Sequence, residues 1–192
     1  MQKLSEIYYK RKPDEIYFRS IKSDLCIRTF SLVMSQSLHR NDNLLLCSAA
    51  DFSNSSNKYT FIRSNARRLI SAYNKKILFR NGSLGKLFLL YSSGLQAVAS
   101  FDEYLRVLIF RKENGLFIDR HFRAIPPFDG NGKCLDIDHI SESDLCYQPE
   151  LKEIFSIKSR SSQELARHNE IFKLIDCDKN LLTNLDKYLS LR

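Results

Sequence analysis

The chain has 192 residues, of which 43% are hydrophobic and 27% are charged, and it carries a formal net charge of +8. Such a composition excludes a disordered chain and allows one ordinary domain with flanking elements, or two very small domains. No apolar run approaches the roughly 20 residues needed to cross a bilayer, and the N-terminus becomes charged before any stretch of signal-peptide length. The sequence therefore predicts a cytoplasmic protein with no membrane partner.

The spacing of the cysteines indicates free thiols. The cysteines are odd in number, lie far apart and form no C-x-x-C motif, whereas disulfide frameworks and zinc sites need close, paired cysteines. We expect buried free thiols, because unpaired cysteine is among the residues most often found inside proteins. The five are Cys26, Cys47, Cys134, Cys146 and Cys177. The sequence predicts no metal and leaves any cofactor unknown.

The first part of the chain is predicted to hold two helices with two strands between them. Pro13 can start a helix, and apolar residues recur at near-helical spacing over residues 16–38, which predicts an amphipathic N-terminal helix. The apolar run 44–49 has the length of a strand, and residues 59–63 alternate as a strand does. Ser64 and Asn65 can cap a helix over residues 66–76. Residues 87–91 are ambiguous between strand and buried helix, and a short helix is predicted from Gly94 to Tyr104.

The clearest pattern is a three-stranded antiparallel meander over residues 105–140. Its predicted strands span residues 105–111, 116–125 and 133–140, and turns at 113–115 and 129–132 separate them. Asn114-Gly115 between extended runs favours a hairpin, because Asn and Gly both tolerate positive φ. After Pro149 the pattern becomes helical, with one helix predicted from Ser161 or Ser162 to about Leu174 and another along the leucines of 181–189.

The residues of the meander resemble the C-terminal half of a PAS domain. In that family a strand ends in a basic residue and an acidic-Gly turn, and a long strand, a Pro-containing exit, a D-x-x-G turn and a last strand ending near an Asp follow. Here residues 111–115, Pro126-Pro127, residues 129–132 and Asp138 stand in those places. Asn65 stands where the family commonly has an Asn after its second strand, and the upstream order of strands and helices is similar.

The resemblance implies an α/β fold and a division of the chain into three segments. The fold would be a PAS-like antiparallel sheet of five strands with helices on one face, plus flanking N- and C-terminal helices. Residues 1–40 would be an N-terminal helical segment, 41–145 the sensory domain and 146–192 a C-terminal helical segment. Dimerisation through the flanking helices would give a homodimer, and a small-molecule pocket would lie between the sheet and a helix. The candidate pocket residues are Leu69, Tyr73, Ile118, Phe122, Leu135 and Ile137.

A basic stretch in the middle of the chain is the second functional signal. Residues 52–101 hold eight Lys and Arg and no Asp or Glu. Such a stretch can face nucleic-acid phosphates, an acidic protein partner or only water. The interleaved aromatic residues Tyr59, Phe61 and Tyr73 can stack on bases or pack in a core. The candidate contact residues are Arg63, Arg67, Arg68, Lys75 and Lys76.

The motifs that would indicate an enzyme are incomplete. Residues 80–87 lack the first glycine and the Ser or Thr of a phosphate-binding loop, and residues 129–140 lack the glycine and the final Glu of a calcium loop. Asp136, Asp138 and His139 form the best local cluster for a metal, but only the two Asp residues share a strand face and His139 points the other way. A nucleophile–base pair of Cys134 or Cys146 with His121 or His139 has no support in the spacing.

We therefore expect a regulator rather than an enzyme. The first hypothesis is a PAS-like sensory protein that acts in signal transduction or transcription regulation through ligand sensing or dimerisation. Two alternatives stay open. One is a basic nucleic-acid-binding regulator that uses residues 58–86, and the other is a protein-binding adaptor or effector without a small-molecule ligand.

Overall fold

The structure, a computed structural model, describes residues 14–33, 35–78, 91, 93–95, 97–98, 100–140, 149–156 and 162–191. These residues form an α/β fold, which confirms the predicted class. Residues 87–90 and Cys146, for which the sequence makes predictions, lie outside the described residues. The described helices are α1 (Ser35–His39), α2 (Ala49–Asn54), α3 (Asn65–Ala72), α4 (Phe101–Glu113), α5 (Pro149–Ser156), α6 (Ser162–Cys177) and α7 (Lys179–Ser190), and a π-helical turn (Tyr73–Leu78) follows α3.

The chain divides into two compact units, each assembled from separated stretches of chain. We call the described residues of Asp14–Ser64 and Ile125–Arg160 the sheet unit, and those of Asn65–Ala124 and Ser161–Arg192 the helical unit. The sequence analysis divides the chain into consecutive segments, whereas the two units alternate along it.

The sheet unit begins with a β-hairpin in place of the predicted N-terminal helix. β1 (Glu15–Ser20) and β2 (Leu25–Phe30) pair antiparallel through residues 15–19 and 26–30. The helix predicted over residues 16–38 is therefore wrong. Ile16 and Phe18 lie two residues apart, as do Leu25 and Ile27, so each pair shares one face of a strand. The helix was predicted from the apolar residues of both strands counted together, and their combined spacing is close to that of a helix.

Three more strands complete a mixed five-stranded sheet in the order β3-β1-β2-β4-β5. β3 (Leu44–Leu46) pairs antiparallel with β1, whereas β4 (Asn57–Ile62) runs parallel to β2, and β5 (Lys133–Asp136) runs parallel to β4. The strands predicted at 44–49, 59–63 and 133–140 are confirmed in type, with different bounds. The PAS resemblance implies a wholly antiparallel sheet, and this expectation is wrong. The long connections before β4 and β5 allow the crossovers that parallel pairing needs.

One face of the sheet is apolar and packs against α5. Side chains two residues apart along each strand share this face, as the period of a strand requires. Phe61 of β4 contacts Phe155 of α5, with ring centroids 5.3 Å apart. The buried residues of this core include Phe18, Ile27, Leu135, Leu151 and Ile154.

The helical unit is held together by the packing of α7 on α4. Leu181, Leu185 and Tyr188 of α7 are buried, and Asp178 caps the helix by accepting the N–H groups of Asn180 and Leu181. The helices predicted over residues 66–76, 161–174 and 181–189 are confirmed by α3 with its π-helical turn, by α6 and by α7. No helix among the described residues combines the length and apolarity needed to cross a membrane.

The predicted three-stranded meander is wrong, because its first strand is the helix α4. Ser100 and Glu103 form a capping box at the start of α4, and Leu105, Leu108 and Ile109 are buried at helical spacing. Gly115 ends the helix with φ +62°. The N–H groups of Gly115 and Leu116 bond back to carbonyls of the last turn of α4. Residues 116–125 form an irregular turn, so only the last of the three strands exists, as β5.

Two glycines in the turn before β5 provide a matched test of how this turn packs on β4. Gly132 has φ +86°, and a Cβ added there would lie 2.8 Å from the carbonyl oxygen of Lys58. Gly130 has φ +82°, and a Cβ added there would meet no atom within 4 Å. We expect Gly132→Ala to lower the free energy of unfolding by about 2–4 kcal/mol, from backbone strain plus the clash. Gly130→Ala adds the strain alone, about 1 kcal/mol. Urea unfolding of both variants measures the difference, and equal losses would contradict the packing of this turn on β4.

Candidate functional site

The polar face of the sheet centres on Arg28, whose side chain is buried. Its two terminal nitrogens donate to the carboxylate oxygens of Asp129 at 2.7 and 2.5 Å, and its Nε donates to Thr60 Oγ1 at 3.1 Å. Thr60 Oγ1 donates in turn to the carbonyl of Asn131 at 3.1 Å. The hydrogen bonds from Arg28 hold the pKa of Asp129 well below its usual range. This network holds the turn before β5 on the sheet.

The remaining groups beside Arg28 are engaged with one another. Tyr17 donates its hydroxyl proton to Glu15, whose carboxylate lies 3.7 Å from the Arg28 guanidinium. Burial, together with the bond to Glu15, raises the pKa of Tyr17 to about 12. Because Asp129 stays charged and Tyr17 stays protonated at neutral pH, neither of these two groups is suited to proton transfer there.

A polar depression of about 350 Å³ lies near the turn between β1 and β2, and its carboxylates are also engaged. Asp24 accepts the backbone N–H of Ser56 at 2.8 Å, and Asp51 accepts the N–H of Ser48 as part of the cap of α2. The hydroxyls of Ser56 and Ser48 also donate to these two carboxylates, and the hydroxyl bonds first, then the backbone bonds, lower the pKa of both carboxyl groups. The two carboxylates of the depression are therefore held in hydrogen bonds to serines, Asp51 as part of a helix cap and Asp24 outside one.

The predicted basic contacts separate into inward and outward side chains. Arg63 is buried and binds Asp138 in the sheet unit, with Nε 3.1 and 3.2 Å from the two carboxylate oxygens. Arg68 is buried in the helical unit, whereas Arg67 is half-buried and its guanidinium lies over the ring of Phe172, 4.9 Å from the ring centroid. The half-buried Lys75 and Lys76 lie on the π-helical turn. Arg63 and Arg68 thus belong to the interior of their units.

The predicted pocket residues belong to two different units. Leu69, Tyr73 and Phe122 are buried in the helical unit, and Ile118 of the same unit is partly buried. Leu135 and Ile137 pack in the core of the sheet unit. Tyr73 contacts the rings of Phe101 and Tyr104, with centroids 5.3 and 5.4 Å apart, so it fills an aromatic core.

The turn after α4 brings an acid and an imidazole together. Asp119 Oδ1 accepts the backbone N–H of His121 at 2.9 Å and also contacts the imidazole Nδ1. The Asp119 carbonyl accepts the N–H of Phe122 at 2.9 Å, which closes the turn. Asp119 is 0% exposed, whereas 15% of the His121 side chain is exposed, so the imidazole reaches the surface from a buried carboxylate.

Two helices clamp this turn from outside. Arg68 of α3 donates from its guanidinium to the carbonyls of Arg120 and Arg123. Tyr188 of α7 donates its hydroxyl to the carbonyl of Phe122. Backbone carbonyls on either side of His121 are therefore fixed by side chains from distant parts of the chain, and the position of the imidazole is fixed with them.

The protonation of the pair follows from burial and neighbouring charges. Burial lowers the pKa of His121; the hydrogen bond and charge of Asp119 oppose this, and Lys76 and Arg120 lower the pKa further. Burial alone would raise the pKa of Asp119, but the hydrogen bonds and charge of His121 lower it overall. At neutral pH the site therefore holds an ionised Asp119 and a neutral His121.

Buried polar atoms without partners mark the interior of the same site. Among the described residues, Asp119 Oδ2 and the hydroxyl of Tyr104 are buried and have no hydrogen-bonding partner. Burial raises the pKa of Tyr104 well above its usual value, and the charge of Asp119 raises it further, so this hydroxyl stays protonated. Leaving buried polar groups unpaired costs free energy, and a catalytic role is one of the explanations for keeping them.

Sequence reasoning considered His121 only as a base for a cysteine. Cys134 lies in the sheet unit, and burial raises the pKa of its thiol, which disfavours the reactive thiolate. The D-x-H spacing of Asp119 and His121 was the available signal. A turn brings this carboxylate onto the ring two residues later, and the strand predicted over residues 116–125 hid that geometry.

The residues that sequence analysis weighed as a metal cluster are used within the sheet unit. Asp138 binds Arg63, and Asp136 Oδ1 accepts the backbone N–H of Asp138 at 3.0 Å. His139 is exposed. In the described part of the chain, no group of three or more His, Cys, Asp or Glu could hold a metal ion.

The chain was compared with protein-family models, with curated proteins and with solved structures, and it matches none of them. Membership of the PAS family therefore stays a prediction.

Adjacent arginines on α3 test the division between inward and outward cations. We expect Arg68→Ala to lower the free energy of unfolding by about 3 kcal/mol, because two charge-assisted hydrogen bonds inside the unit are lost. Arg67→Ala removes a cation–ring contact at a half-buried site and should cost about 1 kcal/mol or less. Urea unfolding followed by circular dichroism compares the two variants. Equal losses would contradict the assignment of Arg68 to the interior.

Proposed function

We propose that the protein is a regulator that binds nucleic acid through a basic surface of the helical unit. The observation that carries this proposal is the charge of α3 and its π-helical turn, which together hold three half-buried Lys and Arg besides the buried Arg68, and no Asp or Glu. Phosphate groups are bound mainly by such cations, and the resulting affinity is independent of sequence. We assign the contacts to Arg67, Lys75 and Lys76 of these elements and to Arg120 of the neighbouring turn.

The geometry of Arg67 supports its role as a contact. Its guanidinium lies over the Phe172 ring, and both side chains are half-buried. A stacked guanidinium loses less conformational freedom when it binds a phosphate, because the ring already restricts it. Arg63 and Arg68, both candidates from the sequence, are left out of the surface because they are buried.

The aromatic residues of the basic stretch favour binding to the backbone rather than to the bases. Tyr59, Phe61 and Tyr73 are each less than 5% exposed, so their rings are not accessible for stacking. Recognition would then depend on phosphate contacts and show little sequence preference.

PAS-like sensing, an adaptor role with an acidic protein partner and a homodimer remain hypotheses. The exposed side chains of Leu174 on α6 and Leu182 on α7 favour a dimer, since these are the helices expected to associate. Light scattering at high micromolar concentration tests it, and a monodisperse monomer would count against it. We also propose a cytoplasmic location, supported by the free thiols of Cys26, Cys47, Cys134 and Cys177.

The proposal predicts binding that depends on salt and on two lysines. We expect single-stranded RNA and DNA oligonucleotides to bind, with affinity falling roughly 50-fold between about 50 and 200 mM salt if about four phosphates are neutralised. Lys75→Glu/Lys76→Glu should abolish this binding, because two attractions become repulsions. Fluorescence anisotropy across a salt series measures both effects.

The matched control is Lys22→Glu/Arg40→Glu, which changes the net charge equally at two exposed positions of the sheet unit. We expect this variant to bind nearly as the unaltered protein does. If both double variants weaken binding equally, the effect is one of net charge and the proposed surface is wrong. No binding at low salt would overturn the proposed function.

A further inference from the structure

We propose that the pair of Asp119 and His121 is a catalytic site that cleaves RNA, with His121 as the general base. The inference rests on the proposed function, since it names RNA as the nucleic acid and gives the bound phosphate a reaction. It assigns to this turn an activity that the motifs of the sequence do not indicate.

The Asp119 carboxylate orients the imidazole of His121. Its Nδ1 contacts the Asp119 carboxylate, so the proton of the neutral ring resides on Nδ1. Nε2 then carries a lone pair, and part of the ring is exposed. A neutral imidazole held by a buried carboxylate, with its other nitrogen available, is the arrangement that a general base requires.

Burying the polar groups of this site without partners costs folding free energy. Asp119 is fully buried, yet one of its carboxylate oxygens has no partner among the described residues, and the buried hydroxyl of Tyr104 in the same unit has none either. An ordinary turn needs only the backbone N–H of His121 on Asp119 Oδ1 and that of Phe122 on the Asp119 carbonyl. Burying the whole carboxylate instead increases its effect on the imidazole, because electrostatic interactions strengthen away from water.

Positive charge acts on the ring of His121. Lys76 and Arg120 both act on the His121 imidazole, and the carbonyls of Arg120 and Arg123 are held by Arg68. Cations near the base would bind a phosphodiester and stabilise the extra negative charge that develops on it in the transition state. The same cations favour the neutral, proton-accepting form of His121.

RNA suits this set of groups because it contains its own nucleophile. His121 Nε2 removes the proton of a ribose 2′-hydroxyl, and the 2′-oxygen forms a bond to the adjacent phosphorus. The bond from phosphorus to the 5′-oxygen breaks, and the leaving 5′-oxygen takes a proton from water. The imidazolium then returns its proton to the hydroxide formed. The products are a 2′,3′-cyclic phosphate and a 5′-hydroxyl, and no electron is transferred.

The experiment uses the full chain and two matched oligonucleotides, one entirely DNA and one with a single ribonucleotide. We expect cleavage only after the ribonucleotide, with the cyclic phosphate identified by mass spectrometry. His121→Gln should slow cleavage by about 100-fold or more, the usual loss when a general base is removed. His139→Gln, at an exposed histidine of the sheet unit, should not change the rate.

The dependence on pH tests the role of Asp119 as a positioning residue. Cleavage should rise with pH through the pKa of His121, since only the neutral ring accepts a proton. Asp119→Asn removes the charge that favours the imidazolium, so the rate should fall and its acid limb should move to lower pH. A merely structural role for Asp119 would lower the rate without moving the limb.

The outcomes separate this inference from the proposed function. Salt-dependent binding without cleavage by the unaltered protein would overturn the catalytic site and leave the binding proposal standing. No binding and no cleavage would overturn both. Equal cleavage by His121→Gln, or cleavage of the all-DNA oligonucleotide, would also overturn the mechanism. If circular dichroism shows that His121→Gln does not fold, His121→Gly is used in its place. Added imidazole should restore cleavage by this variant. If His121→Gly folds and imidazole does not restore cleavage, the role of His121 as the base is contradicted.

Discussion

The sheet unit depends on the burial of one cation, the guanidinium of Arg28. A charge removed from water is stable only where opposite charges and hydrogen bonds surround it, and Arg28 receives these from Asp129 and Thr60. Asp129 lies 101 positions further along the chain, so the polar face cannot be completed before the chain returns. The bond from Thr60 to Asn131 and the close approach of Gly132 to Lys58 then hold the returning chain in the register that β5 requires.

The helical unit uses buried polar side chains in the same way, but to position a turn. Arg68 and Tyr188 bond to carbonyls on either side of His121, and Asp119 bonds to its ring. Successive residues of a helix point about 100° apart, so Arg68 can enter the core while Arg67 stays at the surface. One helix therefore contributes both the support of the turn and part of the basic surface, which is why the two proposals concern the same part of the molecule.

The elements that could be predicted are those with local signals. Leucine spacing and capping residues were sufficient for α6 and α7, and alternation was sufficient for β4. α4 carried an equally local signal, the Ser100–Glu103 capping box, but its short apolar run fits a strand as well as a helix. Gly115 added to the error, because a positive φ suits both a hairpin turn and the end of a helix.

By itself the sequence determined the α/β class, the helices α3, α6 and α7 and the basic character of residues 52–101. Only the tertiary structure decided which cations face inward, because Arg63 meets Asp138 at a separation of 75 positions and Arg68 meets carbonyls 52 and 55 positions away. The parallel pairing of β2, β4 and β5 was decided at the same level. Contacts over such separations leave no periodic pattern in the chain, whereas caps and turns are formed by neighbours and can be predicted from them.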